Sequence, residues 1–216
     1  MVDVEDAAVA AILTRAPSAG GKRRLFRALG RTPDPALLAS LLLDTLDGTR
    51  VPGVARVIAV EPAGACDEIR ALVPRDVHVM PQVTGTLGDR MAAVMGDLFA
   101  GGAAAVALIG SDLPQMTPDV IAGAFAKLTA QPDALVLGPA FDGGYYLIAA
   151  TDVPAVFEGI DWGTDRVLEQ TLAAAARREQ RVELLGAMAD VDTVADLRAV
   201  SGGRTAEWCR RNLEAH

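Results

Sequence analysis

The chain has 216 residues, 51% hydrophobic and 22% charged, with a formal net charge of −8. That length and apolar fraction suit one domain with a full-sized core, residues 1–216, and argue against wholesale disorder. The acidic balance argues against a general nucleic-acid binder, whose affinity rests on neutralising phosphates, while leaving room for a small anion held by a local basic cluster.

Apolar runs of strand length alternate with helical patterns. Residues 8–14 read as a buried strand, followed by a loop carrying Pro17, Gly20 and Gly21. Leucines at helical spacing predict a helix over 35–48, stopping at Gly48. A strand is expected over 55–61, a short helix over 66–73, a strand over 77–80 and a helix over 86–102 ending in two glycines. Residues 104–110 are the clearest central strand. Thr117 is placed to cap a helix over 117–130 with Pro118 at its first position. Strands over 133–140 and 144–150 flank a short turn, which predicts an antiparallel excursion. A long helix over 163–180, with Thr164 near its start, leads to a short strand over 181–185 and closing helices over 193–200 and 204–215. The alternation predicts a single three-layer α/β/α sandwich with a mostly parallel sheet and right-handed crossovers.

Cys66 and Cys209 lie far apart in no metal-like spacing and read as reduced thiols of a cytoplasmic protein. The N-terminal stretch is acidic before a short apolar run, unlike a secretory signal, and no segment reaches membrane-spanning length, so no membrane partner is expected. Two histidines, His78 and His216, supply neither a zinc site nor a hydrolytic triad.

In open α/β sheets ligands sit beyond the carboxyl ends of the strands, which singles out the loops 15–24, 110–115 and 138–144. In the first, Lys22, Arg23, Arg24, Arg27 and Arg31 follow Gly20 and Gly21. Glycines let backbone N–H groups approach an anion, and the cations add full charge, so the loop reads as a diphosphate cradle or as a solvated basic turn. In the second, Asp112 ends an apolar strand in Gly-Ser-Asp-Leu-Pro. It is either a ligand for a hard cation such as Mg²⁺ or Mn²⁺, or a helix cap. In the third, Asp142 precedes Gly143 and Gly144, and the chain's two tyrosines, Tyr145 and Tyr146, follow on opposite faces of a strand. Asp190 and Asp192 serve either as caps for the helix that follows or as a second acidic contribution to the metal or acceptor site. Asp161 and Trp162 read as a wall of an acceptor pocket or as a helix start. Gln82, Gly85, Gly88 and Arg90 occupy a strand–helix loop in which Arg90 can reach a phosphate or fix a carboxylate.

Taken in order, the stretches APSAGGKRRL, QVTGTLGDRM, LIGSDLPQMTPDVI, LGPAFDGGYYLIA, FEGIDWGTDRVLEQT and DVDTVADL resemble the bacterial DUF2064 proteins, which are glycosyltransferase-A-like members of the nucleotide-diphospho-sugar transferase superfamily. The first loop reads Gly20-Gly21-Lys22-Arg23-Arg24-Leu25, one residue shorter than the family's commoner Gly-x-x-Lys-Thr-Arg-Leu. The resemblance implies a GT-A, Rossmann-like sheet that binds a nucleoside diphosphate sugar with Mg²⁺ or Mn²⁺ and transfers the sugar to a small-molecule acceptor. It implies that Lys22 and Arg24 hold nucleotide phosphates, that Asp112 ligates metal, and that Asp142 with Gly143 and Gly144 shapes the donor or acceptor site. On these grounds the expected metal ligands are Asp112 and Asp190, and the expected catalytic carboxylates Asp142 and Asp161. The expected nucleotide and substrate contacts are Gly20, Gly21, Lys22 and Arg24, then Gln82, Gly88 and Arg90, then Gly143, Gly144 and Tyr145. Related folds also host nucleotidyltransferases that join an NTP to a small phosphorylated acid, and a silent nucleotide-binding protein is a third reading. No oligomerisation motif is present; a homodimer is the commonest assembly for such proteins.

Overall fold

Seven strands form one sheet in the order β3-β2-β1-β4-β6-β5-β7 in the computed structural model, which describes residues 4–213. His216 and the last residues of the helix expected over 204–215 lie outside that range. In chain order the elements are β1 (Ala8–Arg15), α1 (Arg23–Ala28), α2 (Pro35–Gly48), β2 (Val54–Glu61), α3 (Cys66–Leu72), β3 (Val77–Pro81), α4 (Leu87–Ala100) and β4 (Ala105–Gly110). They continue with α5 (Pro118–Ala130), β5 (Leu135–Pro139), β6 (Tyr145–Ala150), α6 (Val167–Ala176), β7 (Val182–Leu184), α7 (Val194–Ala199) and α8 (Gly203–Leu213).

The central strands read as continuous apolar runs because both of their faces are covered. In β1, Val9 and Ala11 join the core under α4 and α6, while Ala10 and Ile12 join the core under α2, α3 and α5. α4 contributes Met91, Val94, Met95 and Leu98 to the first core, and α5 contributes Ile121, Ala124 and Leu128 to the second. A third apolar cluster joins α1, α2, α7 and α8 through Phe26, Leu41, Leu197 and Trp208. Cys66 is half-buried and Cys209 is buried. Among the described residues no helix is long and apolar enough to cross a membrane.

β1, β2, β3 and β4 are mutually parallel, as are β5 and β7. The antiparallel excursion is larger in consequence than its sequence suggests. After β5 the chain turns through Ala140–Gly144, where Ala140 N–H donates to the Gly144 carbonyl (3.0 Å). β6 then runs back between β4 and β5, antiparallel to both, in the interior of the sheet. A hairpin pattern shows that two strands pair but not what pairs with the free edge of the second. β6 is buried over Tyr146–Ala150, which requires a neighbour on each side.

Two expectations change. The basic loop contains the short helix α1, because Leu25 and Phe26 bury against α2 and the C-terminal helices. The helix expected from residue 163 begins at Val167: Gly163 has φ +81°, outside helical space, and Thr164 bonds within a turn by donating to the Asp161 carbonyl (2.8 Å).

Candidate active site

Parallel β1 and β4 end side by side, and the chain leaves them for opposite halves of the sheet, so a crevice opens at their carboxyl edge. β6 starts at that edge because it runs the other way. A cavity of about 660 Å³ occupies the crevice. That falls within the range of small-molecule sites.

Each candidate side chain is held there by identifiable local structure. Beyond β4, Leu113 N–H donates to the buried Thr45 Oγ1 on α2 (3.0 Å), which fixes the Gly-Ser-Asp-Leu-Pro loop and presents Asp112. The Asp112 carbonyl accepts from Val191 N–H (3.1 Å), so the 188–192 segment is stitched to the same loop. Val191 is buried in the third apolar cluster with Leu25 and Phe26 of α1, which brings the start of α1 alongside. Lys22 sits at that start in the left-handed region (φ +45°).

One constellation results. Carboxylate oxygens of Asp112, Asp190 and Asp192 all lie within 4.8 Å of one another. The Lys22 ammonium forms ion pairs with Asp112 and with Asp192, the latter at 2.5 Å. Burial lowers the Lys22 pKa, but the charge of Asp112 and hydrogen bonds to both carboxylates outweigh it, so the net shift is upward. Asp190 is pushed up to about 6 by burial first and then by its two acidic neighbours. Three carboxylates against one ammonium leave an excess of negative charge on hard oxygen donors, a set suited to Mg²⁺ or Mn²⁺. The capping alternative for Asp190 and Asp192 does not describe them. Thr193 caps α7 in a reciprocal box with Asp196, which leaves both carboxylates facing the cavity.

Asp112, Asp142, Gly144, Tyr145, Arg24 and Asp190 all line the cavity, as do Asp165 and Trp162. Asp142 Oδ1 accepts from Gly144 N–H (2.9 Å), an Asx turn that leaves its second oxygen available. Gly143 has φ +89°, and a Cβ there would stand 2.0 Å from the Asp165 carbonyl oxygen, so the turn and the start of α6 touch backbone to backbone. Tyr145 and Trp162 meet edge to face, centroids 6.5 Å apart at 80°. Burial raises the phenol pKa of Tyr145 far above its usual range. Tyr146 instead anchors the fold: its hydroxyl donates to the Gly186 carbonyl (3.0 Å), and its ring covers Gly138.

Other nominated residues sit behind the site. Gln82 is buried and donates to the carbonyls of Thr14 (2.9 Å) and Ala59 (2.7 Å), tying β1 to β2. Arg90 pairs with Glu61. Gly88 lets the Trp162 indole lie on α4, since a Cβ would come within 2.9 Å of its Cζ2. Asp161 is not among the residues lining the cavity and is bound by Arg166 (2.7 Å) and Gln170 (2.9 Å). Gly20 (φ +72°) and Gly21 shape the bend that delivers Lys22. Sequence reading passed over Asp165, Leu87 and Met91, which line the cavity as well. Leu87 and Met91 look in sequence like any apolar positions of an amphipathic helix, and Asp165 like a helix-start residue.

The architecture is that of nucleotidyl- and sugar-transferase domains. A protein from Desulfovibrio desulfuricans G20, provisionally named a nucleotide-diphospho-sugar transferase, superposes with a TM-score of 0.85 at 29% identity, covering 96% of this chain and 95% of its own. CMP:2-keto-3-deoxy-manno-octonic acid synthetase complexed with CTP shares the fold (TM-score 0.59, 14% identity, 95% and 100% covered). So does a nucleotidyl transferase from Methanothermobacter thermautotroptrophicus (TM-score 0.58, 15% identity, 88% and 94% covered). No curated protein matches the chain. The model of the DUF2064 family, uncharacterized proteins conserved in bacteria, matches residues 45–164, over half of the chain, and the chain belongs to that family.

Proposed function

We propose that this protein is a divalent-metal-dependent transferase that takes a nucleoside diphosphate sugar and passes the sugar to a small acceptor. The observation that carries this reading is the convergence of Asp112, Asp190 and Asp192 on the Lys22 ammonium at the mouth of a cavity. The likeness to the D. desulfuricans protein supports it.

Asp112, Asp190 and Asp192 would hold Mg²⁺ or Mn²⁺, and a bound ion would neutralise charge developing on the departing diphosphate. Lys22 and Arg24, beside that cluster, bind the phosphates by charge-assisted hydrogen bonds. The Asp142 turn faces the cavity and accepts the proton of the acceptor's nucleophile through the oxygen its Asx turn leaves available. Asp161 acts at one remove: bound to Arg166 and Gln170, it positions the loop that carries Trp162. Tyr145 and Trp162 exclude water from the inner wall and align the reacting groups.

Calorimetry with UDP, GDP and CDP, with and without Mn²⁺, tests the reading. Metal-dependent binding of one diphosphate, abolished in Asp112→Asn, is expected; no binding of any of them sinks it. Nucleotidyl transfer is the second reading, favoured by the shared fold of the CTP-bound synthetase. Release of pyrophosphate from an NTP on adding an acceptor would select it instead.

A further inference from the structure

The two ends of the cavity differ in chemistry. One part of the lining is the aspartate cluster, which Lys22 backs through its ion pairs with Asp112 and Asp192, and the lining also includes Arg24. The other end is walled by Leu87 and Met91 of α4, Tyr145 of β6, Trp162 and Val167 of α6. This wall is built. Met91 and Val167 are buried, the two rings interlock edge to face, and Gly88 gives the indole its seat on α4. The charged residues lining the whole cavity are five aspartates (Asp112, Asp142, Asp165, Asp190, Asp192) and one arginine, Arg24. The Asp165 backbone packs against Gly143, the residue next to Asp142. Among the described residues the cavity lining has no cation other than Arg24.

We infer that the acceptor end takes a small molecule with an apolar or aromatic body and no anionic group, and that a protonated amine is its favoured charge. The name acceptor rests on the proposed transfer; the binding preference does not. A phosphorylated or carboxylated acceptor would set its anion against aliphatic side chains and an aromatic edge, leaving desolvated charge unpaired. An anion there would also meet Asp142 and Asp165, in a lining where one arginine stands against five aspartates. An apolar ring buries against the wall, and an amine at its rim meets either carboxylate. The same charge pattern disfavours a small phosphorylated acid as co-substrate.

Three probes of one shape and different charge test this: benzylamine, benzyl alcohol and benzoate. They are titrated at pH 7.5 against protein without nucleotide or metal. The readout is the indole N–H resonance of the two tryptophans, with Trp208, in the third apolar cluster, as internal control. Benzylamine should move Trp162 and leave Trp208 still. Its affinity should exceed that of benzoate at least tenfold, with benzyl alcohol between. Leu87→Asn, at a 45% exposed position, should weaken all three together. Asp142→Asn with Asp165→Asn should collapse the amine–benzoate ratio and spare benzyl alcohol. Equal or tighter binding of benzoate overturns the inference, and so does a Trp162 signal unmoved by millimolar benzylamine. If nucleotides bind but this ranking fails, only the acceptor inference falls; if the ranking holds and no nucleotide binds, the donor reading falls.

Discussion

The Lys22 ammonium stands between the carboxylates of Asp112 and Asp192, ion-paired to both, at the position where the acidic cluster most needs positive charge. In the ligand-free protein it is the counter-ion for three carboxylates. Lys22→Met keeps the aliphatic stem and removes the charge, so Asp112, Asp190 and Asp192 repel one another unrelieved. The variant should lose about 1–2 kcal/mol of stability without metal. Its midpoint shift on adding Mn²⁺ should exceed that of the wild type, because the ion then meets no competing ammonium. Thermal melts with and without Mn²⁺ measure both. An unchanged metal-free midpoint with an unchanged Mn²⁺ shift would refute the placement of Lys22 as counter-ion.

Asp190 gives stability a pH dependence. Its native pKa is raised to about 6, by burial and then by the charges of Asp112 and Asp192, against an ordinary carboxyl value near 4. The native state therefore holds the proton more tightly than the unfolded chain. The associated stability is present below about pH 4 and is lost as pH rises through 6. Asp190→Asn removes the titration. After discounting for its partial exposure, the variant should be more stable than wild type by about 1 kcal/mol at pH 7.5 and equal to it at pH 4. Urea unfolding at the two pH values checks the crossover.

Gly143 has no substitute in its turn. An alanine there meets the Asp165 carbonyl oxygen at 2.0 Å and must also hold φ +89°. Gly143→Ala should cost about 3 kcal/mol or more, combining overpacking with backbone strain. Gly163→Ala shares a positive φ (+81°) but meets no atom within 4 Å, so it should cost only about 1 kcal/mol. Denaturant unfolding of the pair separates close contact from conformation.

Asp44 tests stability apart from the site. Buried in α2, it accepts from the backbone N–H groups of Arg204 (2.9 Å) and Thr205 (2.8 Å) at the start of α8. Asp44→Ala should destabilise by about 2–3 kcal/mol through loss of that cap and stranded buried donors. Diphosphate affinity in calorimetry should stay at the wild-type value at temperatures where the variant is folded.

The elements were legible where the signal is local. The helix over 35–48 appears at those bounds because Asp34 caps it, Pro35 opens it and its leucines repeat at helical spacing. The strands β1, β2 and β4 are apolar runs broken by turn residues, and they lie within a residue or two of their predicted limits. Asp112, Asp142 and the basic loop could be nominated because strand ends in such sheets flag ligand sites, and Asp112, Asp142 and Arg24 line the cavity. The roles of Gln82 and Arg90 were not legible, because a polar residue beside a glycine loop looks the same whether it reaches a ligand or ties two strands. Met91 and Leu87 carried no signal, since core and cavity wall draw on the same side chains.

By itself, then, the sequence determined where most strands and helices lie, that the sheet is buried on both faces, and which loops carry charge. Those properties depend on side-chain periodicity and on breakers acting over about ten residues. Only the tertiary structure decided that Lys22 meets Asp192 across 170 positions of sequence. It also decided that Thr193 rather than Asp190 or Asp192 caps α7, and that β6 runs through the middle of the sheet. These outcomes depend on strand order and on how buried faces pair, and a local pattern says that a face must be covered without saying by what.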